Sequence, residues 1–284
     1  MLLSDQFESK NTTLFSPRSF CNPASLDFER VSDPTAHLTC YQIKDVPGQD
    51  SFTPRDVVAR KVGSPLDETL TVRKPSLLYV PSEKNGVASQ LNINHFKCYT
   101  ARSRSKASGG VDVVVDEFGG GIVKRRRIDT FCNPVDKNGE GINDPTNHLV
   151  CAKISGRKAV GQDAVVQNQF GEQMLTAVKL KRICLASLKC DPLPAVCEGQ
   201  CGDGSVNAAC CEQCDPPFSA GGEVGCSDTC QQECGNHVLD PTLGEECDGN
   251  DDAACPWRCR SDCTCAPLGS PSGAFLDVAS TALD

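Results

Sequence analysis

The residues best equipped for chemistry are the cysteines, 20 in a chain of 284. Cysteines bind zinc, attack electrophiles or close disulfides, and their spacing separates these uses. Cys211-Glu212-Gln213-Cys214 is a C-x-x-C of the kind zinc sites use in pairs. No regular second pair accompanies it, and His237 is the only histidine beyond residue 190. Disulfides are therefore the preferred reading. Asp248, Asn250, Asp251 and Asp252 supply hard oxygen atoms in a tight loop, and calcium is the ion they would suit. The loop lacks the glycine and glutamate positions of an EF-hand, so solvated acidic turns are preferred there.

The other three histidines, His37, His95 and His148, each stand three residues before a cysteine, a regularity that a structural role explains. Hydrolase, zincin, P-loop and dinucleotide-binding motifs are absent from the sequence, and Gly119-Gly120-Gly121 lacks the strand–helix context of a phosphate loop. The expectation is a non-enzymatic protein without a cofactor. One cluster is suited to binding: Lys124, Arg125, Arg126 and Arg127, with Lys179, Lys181 and Arg182 at a related position. Such a face attracts polyanions, acidic polysaccharide above all. A strand edge kept charged against aggregation is the plainer reading. Nucleic acid is not expected, because no aromatic residues interleave with the cations.

The elements that carry these residues divide near residue 190. Residues 191–284 hold 17 acidic residues against two basic ones (Arg258, Arg260), a net of −15; residues 1–190 hold 26 Lys+Arg and 20 Asp+Glu, a net of +6. Six cysteines precede Cys190 and fourteen run from Cys190 to Cys265, both even numbers. Few aromatic residues (5%) and 24 glycines argue for cross-linked modules over one large core. No apolar run is long enough for a membrane-spanning helix.

The first part repeats itself. Phe20-Cys21-Asn22-Pro23 matches Phe131-Cys132-Asn133-Pro134, and Asp33-Pro34-Thr35 through Cys40 matches Asp144-Pro145-Thr146 through Cys151, all at an offset of 111. A weaker half-repeat at an offset of 52 lies inside each copy. Val111, Val113 and Val115 alternate with Asp112 and Val114, giving one apolar and one mixed face; Leu70-Thr71-Val72 and Ala164-Val165-Val166 are similarly β-prone. Turn signals such as Lys137-Asn138-Gly139 punctuate them. The fold class expected is mainly β: two tandem antiparallel β-sandwich or barrel-like repeats, the first truncated, then a small disulfide-rich, loop-rich module. The domains expected are 1–86, a shortened repeat; 87–192, a complete one; 193–265, cysteine-rich; and 266–284, a linker or flexible tail, with a short helix or the start of a further domain as options at Gly273-Ala274-Phe275.

Copy two holds Cys98, Cys132, Cys151 and Cys184, but copy one holds only Cys21 and Cys40. Tyr79 stands at the counterpart of Cys184, and the counterpart of Cys98 would precede Met1. The joint loss of those two positions predicts Cys98–Cys184, with Cys132–Cys151 and Cys21–Cys40 as the remaining pairs. Cys98–Cys132 with Cys151–Cys184 stays open. Each bridge would stabilise by up to about 3–5 kcal/mol.

Residues 1–190 resemble an uncharacterised secreted β-repeat of delta-class proteobacterial surface proteins, through His95-Phe96-Lys97-Cys98-Tyr99, Phe131-Cys132-Asn133-Pro134-Val135-Asp136-Lys137 and Leu77-Leu78-Tyr79-Val80-Pro81. Residues 197–265 resemble the myxococcal cysteine-rich repeat, through Cys234-Gly235-Asn236, Gly244-Glu245-Glu246-Cys247-Asp248 and Cys226-Ser227-Asp228-Thr229-Cys230. These resemblances imply an extracellular or cell-surface protein with an adhesive or structural role and a partner in the envelope. The alternative is an accessory, polyanion-binding portion of a secreted enzyme. Disulfides require an oxidising compartment, yet Met1-Leu2-Leu3 opens no signal peptide, which suggests a truncated beginning.

Overall fold

β-Branched and aromatic residues in alternation, cut by Asn-Gly and Asp-Pro turns, favour strands over helices. The computed structural model describes residues 1–27, 31, 33–61, 67–104, 110–156, 161–190, 247 and 274–282, and among them there is no helix. Its thirteen strands are β1 (Leu2–Ser4), β2 (Ser9–Leu26), β3 (His37–Asp45), β4 (Arg55–Lys61), β5 (Asp67–Lys84), β6 (Phe96–Ser103), β7 (Val111–Asp116), β8 (Gly119–Pro134), β9 (Asp136–Lys137), β10 (His148–Gly156), β11 (Asp163–Asn168), β12 (Gly171–Cys190) and β13 (Ala274–Ala282). Every pairing is antiparallel, as in the mainly β class expected. Asn85-Gly86 and Asn138-Gly139 take the paired positive φ angles that tight turns demand of such residues.

Eight strands close on themselves in the order β13-β2-β3-β5-β6-β8-β10-β12 and back to β13. The inside of this barrel is identified by burial. Cys21, Leu38, Cys40, Tyr79, Phe96, Cys98, Cys132, Leu149, Cys151, Cys184 and Phe275 come from all eight strands and converge in one cluster. Residues of the opposite parity fall into separate outer clusters, where β1, β4 and β7 pack against the barrel wall. The long strands turn corners at register shifts, two of them at Pro17 and Pro75, where a missing N–H costs no regular ladder bond.

The two repeats of the sequence, residues 1–86 and 87–192, interleave in this single sheet. β2, β3 and β5 hold the places in one half that β8, β10 and β12 hold in the other. β4 of the first half also pairs with the end of β12, and β11 of the second half with the end of β5. The strand opposite β6 in this arrangement is β13. Phe275 faces Pro23 as Phe96 faces Pro134, and Asp277 faces Cys21 as Cys98 faces Cys132. The segment expected as a linker, tail or short helix is thus a barrel strand over Ala274–Ala282, buried from Ala274 to Val278. Its alternation of Phe275 and Asp277 inward with Leu276 and Val278 outward is satisfied on both faces.

The disulfide pairing corrects the arithmetic of the repeats. Cys98 is bonded to Cys132 and Cys151 to Cys184, each with Cα atoms 4.0 Å apart on directly opposed strand positions. Cys98–Cys184 is excluded because β8 and β10 lie between β6 and β12. Cys132 faces Leu149, and Cys151 faces Thr130, so that pair is diagonal, about 7–8 Å between Cα atoms and beyond disulfide reach. The same diagonal separates Cys21, opposite Leu38, from Cys40, opposite Ser19; both are free and buried.

The apolar face of β7 points outward: Val111 is 66% exposed, whereas Asp112 and Val114 are buried. Register with β8 and β2 decides this, and Asp112 is met there by Arg125 at 2.9 Å. Among the described residues no helix is long and apolar enough to cross a membrane. In the cysteine-rich segment, Cys247 is buried and disulfide-bonded. The calcium candidates Asp248, Asn250, Asp251 and Asp252 lie outside the described residues, as does Cys211-Glu212-Gln213-Cys214.

Candidate functional site

The half of the barrel that lacks disulfides carries the unusual chemistry. Its two cross-strand pairs are Asp277 with Cys21 and Tyr79 with Cys40. Tyr79 spans the lumen, its hydroxyl donating to Asp277 Oδ2 at 3.3 Å and standing 3.8 Å from the Cys184 sulfur. Arg182 on β12 reaches the same carboxylate, Nη1 to Asp277 Oδ2 at 3.0 Å. Its Nε donates to both oxygens of Asp129, at 2.9 and 3.1 Å. A charge pair is tolerated inside the barrel because each carboxylate accepts from a guanidinium aimed at it.

Burial, and then the Asp277 charge, push the Cys21 thiol and the Tyr79 phenol well above their ordinary ranges; the same two influences raise Cys40. These groups are neutral at physiological pH, and neutral thiols are poor nucleophiles. His37 and His148 serve as packing groups, and His95 makes a side-chain hydrogen bond. His37 stacks on Phe20 with ring centres 5.1 Å apart, His148 stacks on Phe131 at 5.6 Å and contacts Asn133 Oδ1 through Nδ1 at 3.1 Å, and His95 accepts from Gln169 at 2.9 Å. Burial drives the His37 imidazole down to about 4, assisted by the neighbouring Lys84 charge.

Above Cys40 the barrel opens into a cavity of about 230 Å³ whose walls include Arg18, Gln42, Ser76, Lys181 and Arg182. Arg18 is exposed and held by its Nε and Nη2 to Gln42 Oε1, at 3.1 and 2.5 Å. Lys181 Nζ donates to the Arg18 carbonyl at 3.3 Å, which brings β12 and β2 cations to one rim. Asp129 is also approached from β10, where Lys153 Nζ is 3.8 Å away. Three cations, Arg18, Lys181 and Arg182, therefore line the mouth, and Arg182 is engaged by the carboxylates of Asp129 and Asp277. With Arg18, Lys181 and Arg182 in its walls, the concavity is cationic.

The seven basic residues singled out in the sequence do not form one face. Lys181 and Arg182 line the mouth. Lys124, Arg126, Arg127 and Lys179 are exposed on the wall, with Arg126 Nε donating to Ser155 Oγ at 3.1 Å, and Arg125 is committed to Asp112. β10 separates the β8 run from β12. Arg18, Asp129 and Asp277 escaped the sequence reading. Among the described residues no group of His, Cys, Asp and Glu has the arrangement of a metal site. Comparison with protein-family models, curated proteins and solved structures returns no match.

Proposed function

We propose that this chain is a non-enzymatic binding module of the extracellular space or cell surface, structural or adhesive in role, whose barrel mouth takes anionic groups such as those of acidic polysaccharides. The cationic concavity formed by Arg18, Lys181 and Arg182 carries the reading. An exported setting is supported by two disulfides, which persist in oxidising compartments, and by the resemblance of both parts of the chain to secreted repeats. The buried neutral thiols and packed histidines favour binding over catalysis.

The test is retention on a column of carboxylated or sulfated polysaccharide across a salt gradient. Arg18→Glu/Lys181→Glu should elute at markedly lower salt than the wild type, while Arg126→Glu/Arg127→Glu on the outer wall should elute near it. Equal losses from both double variants would return the binding to a diffuse basic surface. No retention of the wild type even at low salt would remove the anion-binding role.

A further inference from the structure

Seven of the eight barrel strands fall within Ser9–Cys190. The eighth, β13, is separated from Cys190 by 83 residues. It is also the strand whose counterpart carries a cross-link that it lacks. β6 is fixed to β8 by Cys98–Cys132, whereas the β13 position opposite Cys21 is Asp277, and Cys21 remains a thiol. β13 is thus held between β2 and β12 by backbone hydrogen bonds, by the buried side chains of Phe275, Leu276 and Val278, and by the Asp277 contacts to Arg182 and Tyr79. All of these contacts are available to an identical strand arriving from elsewhere. The cost of closing a loop grows only slowly with its length, but a long connection confers a low effective concentration on its own strand, against which a second copy competes. A short extended segment inserted between two open strand edges is also a general mode of protein association.

We propose that the slot between β2 and β12 is a strand-acceptor site, filled by β13 of a second copy of this chain as well as by its own. The site reads an apolar strand with an inward phenylalanine and, two residues on, an inward carboxylate. Phe275 packs into the lumen cluster, and Asp277 is received by Arg182 and Tyr79. Exchange of β13 links copies without any new interface, because each contact made in trans is one already made in cis. For a surface protein of the kind proposed above, this would be the route to assembly, although the inference stands on the barrel alone.

The experiment uses two full-length forms that cannot form the cross-link within themselves. The donor carries Asp277→Cys with Cys21→Ser; the acceptor is the wild-type chain, with Cys21 present and aspartate at 277. The two are mixed at high concentration, passed briefly through mild denaturant, returned to native buffer and oxidised. The expected product is a covalent species with the summed mass of the two chains, whose digest contains the Cys21 peptide joined to the position-277 peptide. The single variant Asp277→Cys serves as the register control, since it should close Cys21 to position 277 within one chain. Absence of the trans product while the control closes its cis bond overturns the proposal. Absence of both shows that cysteine does not seat in place of Asp277. In that case, or if the donor fails to fold by circular dichroism, a fluorescent peptide of the unsubstituted residues 273–284 offered to the wild-type chain decides the matter. Co-elution with the protein supports strand acceptance, and elution of all label as free peptide overturns it.

Discussion

Asp277 faces Cys21 across β13 and β2 at the register position where Cys98 faces Cys132 across β6 and β8. One half of the barrel therefore closes a disulfide where the other sets a carboxylate against a thiol. The carboxylate is fully buried and relies on Arg182 and Tyr79. Stapling and charge pairing thus do the same architectural task on the two sides of one lumen.

Removing one partner of a buried pair leaves an uncompensated charge, which costs about 3–5 kcal/mol. Asp277→Ala leaves Arg182 its bonds to Asp129 and should lower the unfolding free energy by about 1.5–3 kcal/mol, the value of a hydrogen bond to a charged group. Arg182→Met, which strips the guanidinium from both Asp129 and Asp277, should cost more. Urea unfolding followed by far-UV circular dichroism measures both, and a wild-type midpoint for either variant would contradict the pairing described.

The disulfides and the thiols predict opposite sensitivities. Cys98→Ala/Cys132→Ala should cost about 4 kcal/mol, the chain-entropy value for a loop of this length. Cys21 and Cys40 are buried and held neutral, so an alkylating reagent at pH 8 should leave them unmodified in the folded chain and label both in denaturant. Peptide mass mapping reads the two sites separately, and rapid native labelling of Cys40 would show the cavity floor to be open.

His37 gives the fold a pH dependence whose sign is fixed. Its folded pKa of about 4 lies below the ordinary 6.5, so between these values the unfolded chain binds the proton more readily. The contribution is present above about pH 6.5 and is lost as pH falls through 4, with a limit on the order of 3 kcal/mol. His37→Gln should lose stability at pH 7 but depend less on pH than the wild type across this window. Parallel pH profiles for the two proteins would show that His37 does not titrate as described.

Gly156 ends β10 at φ +128, and a Cβ placed there would lie 2.7 Å from the carbonyl oxygen of Ile122. Both the dihedral and the clash with backbone oppose any side chain. Gly156→Ala should cost more than about 1 kcal/mol, whereas Gly161→Ala, which meets nothing within 4 Å, should be close to neutral in thermal unfolding.

Much of the architecture is written locally. The β class follows from alternating Val, Thr and Phe, the tight turns from Asn85-Gly86 and Asn138-Gly139, and the correspondence of β2, β3 and β8, β10 from the 111-residue offset. His37 and His148 announced their packing role by recurring before cysteines. The candidate site was legible only in part: Lys181 and Arg182 were visible as cations, but Arg18 and Asp129, which stand two residues before the repeated Phe20-Cys21 and Phe131-Cys132, differ in charge, so the repeat marks neither.

The sequence by itself determined the β class of residues 1–190, several of their turns, and which cysteines lie at corresponding positions, because propensity and periodicity act over a few residues. It did not mark Ala274–Ala282 as a strand, nor did it determine which strands are neighbours. Closure placed β8 and β10 between Cys98 and Cys184 and brought Cys151 opposite Cys184, and it carried Asp277 from beyond residue 190 to a place beside Cys21. It also turned Val111 and Val115 of β7 outward and Arg182 inward. Strand pairing is a contest between long-range alternatives of similar local quality, decided by the one register that fills the lumen and leaves every buried charge with a partner.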